Sequence, residues 1–424
     1  MARNVFVVGL DDLNLRALEA IPDAEDYHFH QLLTIEELQE GHEIRVLDLL
    51  DKATAQLEAF NGPIDAIIGY WDFPVSSMVP LLARRFGLPG ASLEAVLKCE
   101  HKYWARRQQQ EVIDEYPPFA VVDPFDDAAL RRIEVPLPYW IKPVKAFSSE
   151  LAYRVSAPDD LSAAVSKIRA GIRRIGDPFE WVLSRVDLPP EIAEVGGNAC
   201  IVEGEVSGRQ GTVEGYVRGG EVISYGVVDS LTYPGTSCFE RYQYPSTLPE
   251  DVQERFVDVA ARLLEQIGLE RSTFNMEFFW DAETDRVFVL EVNPRHSQSH
   301  TELFALVDGF CNHKIAVDLA LGRDPEPGHR QGKYRLAAKW HLRRFEDALV
   351  TRSPLPHEVR EVEQAIPGTA IRVIAEKGDR LSGLHDQDSY SYKLANVYVG
   401  AASEEELADK YRRCAERLPF AFES

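Results

Sequence analysis

Cysteine is scarce in this 424-residue sequence, and the five that occur lie far apart, at Cys99, Cys200, Cys238, Cys311 and Cys414. No two of them have Cys-x-x-Cys spacing. An odd number of scattered cysteines is typical of a reducing compartment, where each side chain is usually a small buried apolar group. We therefore predict a cytoplasmic location.

Long apolar runs are absent as well: no stretch of about 18 consecutive apolar residues occurs, which excludes a membrane-spanning helix. The first ten residues, MARNVFVVGL, turn polar too soon for a secretory signal peptide. Positive charge is also in short supply, with 46 Lys and Arg against 69 Asp and Glu and a net charge of −23. Such a chain is poorly suited to nucleic acid or to an anionic membrane surface. Binding of a polyphosphate would need a local basic cluster and a metal ion.

Glycine-rich phosphate motifs are missing too, because Gly9 stands alone after its strand and no G-x-G-x-x-G fingerprint follows. Short apolar runs nevertheless alternate with helical spacing over the first 85 residues, which predicts a small parallel α/β sheet. The predicted strands are 4–9, 27–32 and 64–69, and the predicted helices are 11–20, 47–60 and one ending at Arg85. Asp11, Asp12 and Asp72 follow these strands and are interpreted as exposed loop carboxylates.

The most informative stretch is 274–295, FNMEFFWDAETDRVFVLEVNPR, where two apolar runs flank a polar turn and predict a β-hairpin. Because side chains alternate between the two faces of a strand, a register that pairs Glu277 with Glu291 also pairs Asn275 with Asn293 on the same face. The opposite face would carry Met276, Phe278, Leu290 and Val292 into a core.

Two carboxylates directly opposite each other repel, so this pairing makes sense when a cation lies between them. Oxygen ligands from Glu277, Glu291 and Asn293 suit a hard ion such as Mg²⁺ or Mn²⁺, which proteins hold together with substrate phosphates. Arg295 follows the second strand, in position to meet phosphate oxygens. A solvated polar face on a half-exposed hairpin is the alternative interpretation.

Basic residues suited to a polyphosphate occur upstream of the hairpin. One helix predicted from Ser92 to Glu111 carries Lys98, Lys102 and Arg106 at four-residue spacing, hence on one face, although an ordinary solvated face has the same pattern.

A strand predicted over 135–142 ends at Lys142, and the segment Phe147-Ser148-Ser149 follows it. Hydroxyls after a strand-end lysine resemble a phosphate-gripping loop without the glycines of a P-loop. The segment from Asp229 to Pro249 is predicted as a long functional loop, and hence as a candidate lid.

Taken in order, these pieces resemble the ATP-grasp superfamily from about Leu97 to Leu321. The matching motifs are the basic helix, the strand-end IKP, VEGEVSG, the meander GTVEGYV…GEVISYG, and NMEFF followed by LEVNPR. The resemblance implies an ATP-grasp fold of mixed α/β and α+β class. Its implied parts are a small parallel α/β domain at 1–95, a nucleotide-binding and catalytic region at 96–327, and a strand-rich domain with a final helix at 328–424.

The resemblance also implies roles for individual residues, with ATP and Mg²⁺ as cofactors. The residues implied to bind the metal are Glu277, Glu291 and Asn293. Those implied to bind nucleotide are Lys102, Lys142, Ser148, Ser149, Glu203, Gly204, Glu205, Val206 and Glu214. In this set the lysines and serines would meet phosphates, the backbone of 203–206 would read adenine, and Glu214 would bind ribose. Lys98 remains a rival to Lys102.

The activity implied by the resemblance is ligation of a carboxylate to an amine through an acyl phosphate. Arg295 and His300 would act at the reacting groups, with His341 and Arg343 as further candidates. Biotin-dependent carboxylases carry a Glu-His pair where this chain has Ser299-His300, whereas LAAKWHLRRF and the final helix look more like the amino-acid ligase branch. The expected partners are therefore ATP, an amino-acid-like acid and an amine. Many relatives are dimers, which makes a homodimer an open option.

Three alternatives stay open at this point. A carboxylase or another ligase that uses carboxyphosphate would need bicarbonate. A nucleotide-binding regulatory protein would keep the fold without turnover, although it has less use for the pair Glu277 and Glu291. Ligation of a carboxylate to a thiol is the third.

Overall fold

The computed structural model describes residues 2–40, 44–146, 150–236, 238–384 and 391–423. Its strands are β1 Arg3–Val8, β2 Tyr27–Leu32, β3 Ala66–Ile68, β4 Phe119–Val122, β5 Tyr139–Pro143, β6 Tyr153–Val155, β7 Cys200–Gly204, β8 Arg209–Arg218, β9 Glu221–Thr232, β10 Phe239–Tyr244, β11 Ser272–Asp281, β12 Arg286–Asn293, β13 Leu336–Arg344, β14 Leu349–Arg352, β15 Thr369–Val373, β16 Tyr392–Ala401 and β17 Ala421–Glu423.

The α-helices of the same ranges are α1 Asp12–Glu19, α2 Val46–Ala59, α3 Val75–Arg85, α4 Leu93–Glu100, α5 Lys102–Val112, α6 Asp127–Leu130, α7 Pro158–Gly171, α8 Arg173–Leu183, α9 Pro190–Val195, α10 Glu250–Ile267, α11 Thr301–Val307, α12 Asn312–Ala320, α13 Pro356–Ala365 and α14 Glu404–Arg417. Among the helices described, none combines the length and apolarity needed to cross a bilayer.

A parallel three-stranded sheet in the order β2-β1-β3 forms the N-terminal part and confirms the predicted α/β start of the chain. In the central strand β1, the apolar run from Val5 to Val8 is buried because both faces of the sheet are covered. Val5 and Val7 lie with Val317 of α12 on one face, whereas Phe6 and Val8 pack into a separate cluster on the other. Since α12 follows the hairpin in sequence, this packing fixes the N-terminal sheet against the catalytic end of the chain.

The second large element is an eight-stranded sheet in the order β12-β11-β8-β9-β10-β13-β16-β15. Helix α10 covers one face of it, with Phe256 stacked on Phe278 at 4.5 Å between ring centroids. Gly268 adopts φ 73° directly after α10 and ends the helix. The C-terminal strands β13, β15 and β16 continue this sheet, so the predicted boundary at residue 327 separates two parts of one hydrogen-bonded layer. The domain boundaries stay a prediction.

The segment from Asp229 to Pro249 is not one continuous loop as predicted, so a lid made of the whole segment is excluded. Strand β9 continues to Thr232, and Phe239–Tyr244 forms β10, which pairs with β9 on one side and β13 on the other. The Tyr, Pro and Ser content looks loop-like, but the hydrogen bonds come from β13, about 100 residues later in the chain. The pairing of β10 with β13 therefore cannot be predicted from the local sequence.

Three buried histidines make the stability of the protein depend on pH. Burial lowers the pKa of His101 to about 4 and that of His313 to about 3. Burial and the neighbouring His313 also hold the pKa of His296 well below its usual range. The rings of His296 and His313 are joined by a 2.8 Å hydrogen bond, and His313 Nε2 donates to Asn14 Oδ1 at 2.9 Å. Protonation would break this chain.

A lowered folded-state pKa means that these histidines stabilise the protein above the unfolded value of about 6.5, and that this contribution is lost as pH falls. Below about pH 6.5, each of these histidines should lower the free energy of unfolding by roughly 1.4 kcal/mol per pH unit. We expect the midpoint of thermal unfolding to fall steeply between about pH 6.5 and pH 5. His313→Gln should flatten this slope, and His28→Gln, at an exposed position, should leave it unchanged. Equal slopes in all three proteins would contradict the prediction.

Candidate active site

Strands β11 and β12 pair in the predicted register, with Glu277 opposite Glu291 and Asn275 opposite Asn293. Gln210 on the neighbouring strand β8 donates to Glu277 Oε2 at 3.0 Å. Asn293 Nδ2 donates to Asn275 Oδ1 at 3.2 Å, so the side chain of Asn293 is held by its cross-strand partner. The hairpin thus places carboxylate and amide oxygens on one patch of the sheet.

One residue of the hairpin core was predicted wrongly. A bulge between Glu277 and Phe278 shifts the register, so that Phe278 pairs with Val289 and Leu290 is the extra residue. Val289 is buried in place of Leu290, which is only partly buried. The carbonyl of Leu290 accepts a hydrogen bond from Arg106 NH2 at 3.0 Å, so the bulge is anchored to helix α5.

The two opposed carboxylates have different surroundings, which shift their pKa values in opposite directions. Burial and the charge of Glu291 raise the pKa of Glu277. Glu291 accepts from Lys102 Nζ at 2.7 Å, and Lys102 and Lys142 outweigh its burial and lower its pKa. A cation bound between the two carboxylates would lower the pKa of Glu277 as well.

The predicted continuous helix from Ser92 to Glu111 is wrong, because it breaks at His101 into α4 and α5. His101 has an extended backbone (φ −81°, ψ 98°), and its ring accepts from the backbone N–H of Trp104 as the cap of α5. The break removes Lys98 from the face of Lys102. Lys98 pairs with Glu94 at 2.8 Å, whereas Lys102 reaches Glu291. The geometry thus favours Lys102 over its rival.

A buried ion triad lies next to the hairpin on strands β5 and β7 and helix α5. Glu203 accepts from Arg106 Nε at 2.6 Å and forms an ion pair with Lys142 Nζ at 2.6 Å. Burial alone would raise the pKa of Glu203, but the two cations outweigh it and hold the value at about 2. Lys142 is therefore next to a carboxylate that stays ionised and fixes its position.

The segment predicted to read adenine, 203–206, begins as the end of β7 and continues as irregular chain. The side chain of Glu203 points to the ion triad, whereas Glu205 pairs with Arg154 at 2.5 Å on the surface. The predicted phosphate contacts Ser148 and Ser149 lie outside the described residues.

Arg295 lies at the end of β12 and donates to Asp72 Oδ2 at 2.8 Å. Burial would raise the pKa of Asp72, but Arg295 and then Lys145 outweigh it and lower that pKa. Asp72 was interpreted from sequence as an exposed loop carboxylate, and this was wrong: it joins the N-terminal sheet to the hairpin. Its place after a parallel strand was the available signal, because ligand sites cluster at such strand ends.

Glu214 was proposed as the ribose contact, and its geometry contradicts this. The carboxylate is fully buried and is held by His300 Nδ1 at 2.8 Å, Asn275 Nδ2 at 2.7 Å and Tyr225 Oη at 2.9 Å. Its remaining capacity is used by the backbone N–H of Ser297 at 3.1 Å. Glu214 therefore orients the segment after Arg295. His300, predicted to act at the reacting groups, is 3% exposed and has its ring fixed by this carboxylate.

The donor set of this patch suits a magnesium ion bound together with phosphates. Among the described residues, no three His, Cys, Asp or Glu side chains lie close enough to form a metal site by themselves. Two carboxylates and one amide oxygen leave the rest of a six-oxygen shell to other ligands, as Mg²⁺ sites with nucleotide phosphates require. The opposed carboxylates of Glu277 and Glu291, with Lys102 bonded to Glu291, supply the electrostatic reason for a cation there.

The chain is similar to known proteins over this same region. The family model described as ATP-grasp domain matches residues 135–301. One relative, the uncharacterized protein y4rH of Sinorhizobium fredii, is 28% identical over 221 residues, which are 50% of this chain and 40% of the relative. The matched part of this chain thus spans less than half of that relative's length.

Solved structures are similar over the whole chain. The L-amino acid ligase from Bacillus licheniformis superposes with a TM-score of 0.71 at 15% identity, covering 100% of this chain and 99% of the ligase. Biotin carboxylase from Campylobacter jejuni superposes with a TM-score of 0.65 at 14% identity, covering 100% of this chain and 92% of the carboxylase. At such low identity these similarities define the fold alone, and they confirm the predicted fold class.

Proposed function

Because this chain belongs to the ATP-grasp superfamily, we propose that it is an ADP-forming carboxylate–amine ligase whose acid substrate is an amino acid or a similar small acid. One observation carries the proposal: the opposed pair Glu277 and Glu291 converges with Lys102 and Arg295 on one patch of sheet. A protein that only binds nucleotide has little use for opposed carboxylates, which are costly unless a cation holds them.

Phosphoryl transfer needs positioning and charge neutralisation more than covalent help from the protein. Glu277, Glu291 and Asn293 would hold Mg²⁺, and that ion, when bound, neutralises charge on the transferring phosphate. Lys102 is hydrogen-bonded to Glu291 and to the carbonyl of Ala146 at 3.0 Å, so its ammonium is available at the same place as the metal ligands. When nucleotide binds, the Lys102 ammonium would exchange its contact with the Glu291 carboxylate for a contact with phosphate.

The carboxylate of the acid substrate would attack the γ-phosphoryl group and give an acyl phosphate and ADP. Arg295 carries its charge at the end of β12, with one edge held by Asp72 and its Nε without a partner among the described residues. An anchored guanidinium with a free donor is well placed to bind developing charge on an oxygen. The backbone of the end of β7 and of the irregular segment after it, 203–206, would contact the adenine.

The test is release of ADP and phosphate from Mg-ATP, with the twenty amino acids offered singly and in pairs, with and without bicarbonate. Turnover that needs an acid and an amine together supports the ligase. Turnover that needs bicarbonate would replace it with a carboxylase. ATP binding without turnover in any combination would favour a nucleotide-binding protein and count against the proposal.

Lys142→Ala should raise the ATP concentration needed for half-maximal turnover. A hydrogen bond to a charged group contributes roughly 1.5–3 kcal/mol, and its loss corresponds to about a 10- to 100-fold higher ATP concentration. Lys142 is only 14% exposed and is held by Glu203, so its position is fixed before the nucleotide arrives. Initial rates at varied ATP would measure the change. Lys167→Ala, at an exposed lysine, is the control, and an unchanged ATP dependence in Lys142→Ala would remove it from the phosphate site.

A further inference from the structure

A buried lysine lies on the active-site side of the large sheet and has no assigned role. Lys339 on β13 is 5% exposed, and its Nζ donates to Ser299 Oγ at 2.9 Å. No carboxylate of the described residues lies within 4 Å of this nitrogen. Lysines are rarely buried without an anionic partner, because transfer of a charge from water is costly.

The position of Lys339 connects it to the reacting end of the site. Ser299 lies four residues beyond Arg295. Across the sheet, Lys339 is directly opposite Tyr242 of β10, whose ring contacts His300 at 4.9 Å between centroids. The charges of Glu277 and Arg295 both act on the Tyr242 hydroxyl. Lys339 is thus one strand away from a side chain next to the metal ligands.

The surroundings of Lys339 favour an uncharged amine. Burial and then the charge of Lys393 lower its pKa to about 7, Arg372 acts in the same direction, and Glu302 opposes them. The other ionisable groups next to it on the sheet are His341 on β13, Tyr398 on β16 and Tyr242 on β10, and the charge of Asp11, before α1, acts on Glu302 and Tyr398. A base is most effective when it titrates close to the working pH.

Glu302 has an unsatisfied acceptor atom. It lies on α11, and its Oε2 atom is buried without a hydrogen-bond partner among the described residues. Burial raises the pKa of Glu302, and its charge acts on Lys339. An orphaned acceptor beside an amine of low charge marks a place where a donor, such as a substrate ammonium, would complete the hydrogen bonding.

We propose that Lys339 is the proton acceptor for the amine substrate, with Ser299 holding its Nζ and Glu302 receiving the incoming ammonium. This inference rests on the proposed ligase function and extends it to the second half-reaction. An amine enters the site as an ammonium and has no lone pair for attack until it loses a proton.

The proton balance is complete without any further reactant. The ammonium gives one proton to the Lys339 amine. The freed amine nitrogen forms the C–N bond to the acyl carbon while the C–O bond to phosphate breaks, and phosphate leaves with that electron pair. A second proton passes from the nitrogen to the departing phosphate, and Lys339 returns its proton to solvent. The products are the amide, hydrogen phosphate and one proton.

The experiment compares two nucleophiles in the full-length protein: an amino acid and hydroxylamine, which is uncharged at neutral pH and needs no base. We expect Lys339→Met and Lys339→Arg each to lower kcat/KM for the amino acid about 100-fold while keeping hydroxamate formation near that of the unaltered protein. The unaltered protein should lose amine-dependent kcat/KM as pH falls below about 7, and both variants should lack this limb. Lys333→Met, at an exposed lysine, is the control.

The arginine variant separates proton transfer from charge. Arginine keeps the positive charge but cannot give up its proton at working pH. Recovery of amino-acid turnover in Lys339→Arg would mean that Lys339 binds a substrate anion, and would overturn the inference. Loss of hydroxamate in both variants would assign a merely structural role and also overturn it. Absence of hydroxamate from the unaltered protein would instead reject the acyl phosphate, and with it the proposed ligase.

Discussion

Glu291→Gln should lower the rate of ADP release by about three orders of magnitude without unfolding the protein. The carboxylate is one of two opposed on the hairpin and forms the ion pair with Lys102 at 2.7 Å. Glutamine keeps the shape and one oxygen but supplies no charge to a metal ion. The variant would therefore leave Glu277 as the only carboxylate of this pair for a divalent cation.

The matched control is Glu283→Gln, in the exposed turn of the same hairpin. It removes the same charge from the same hairpin and should leave both turnover and thermal unfolding unchanged. ADP release would be followed by a coupled assay at several magnesium concentrations, because loss of a ligand should also raise the magnesium requirement. Normal turnover in Glu291→Gln would refute the assignment of the hairpin as the metal site.

The hairpin was predictable because its information is local. Alternation of apolar and polar residues sets which side chains share a face, and a short polar turn sets the register. The structure has the predicted pairing of Glu277 with Glu291. Counted from the turn, where Asp281 pairs with Arg286, that pairing also requires Leu290 as an extra residue. The bulge was not predictable, since Leu290 and Val289 are both apolar and either could face the core.

Features that depend on distant partners were missed. The break at His101 comes from capping by an imidazole and from the hydrogen bond of the Lys102 N–H to the carbonyl of Val144, at 2.9 Å. Strand β10 needs β13 to form, and the ion pair of Asp72 needs Arg295, 223 residues away. Glu214 was misassigned for the same reason, because four donors from three different segments bury it. Sequence spacing carries no information on such contacts.

Arg295→Ala should have the largest effect on turnover, about 10³-fold or more, since an arginine at a transferring phosphoryl group is worth about 10³–10⁵. It should also destabilise the protein by about 1–3 kcal/mol, because Asp72 is left without its partner.

The effects of Arg295→Ala on turnover and on stability can be separated. Arg295→Ala combined with Asp72→Ala removes the orphaned charge and should recover the thermal midpoint but not the turnover. Asp72→Asn alone keeps the guanidinium and should cost only about tenfold in turnover. Recovery of ADP release in the double variant would mean that Arg295 serves only to fix the N-terminal sheet to the hairpin.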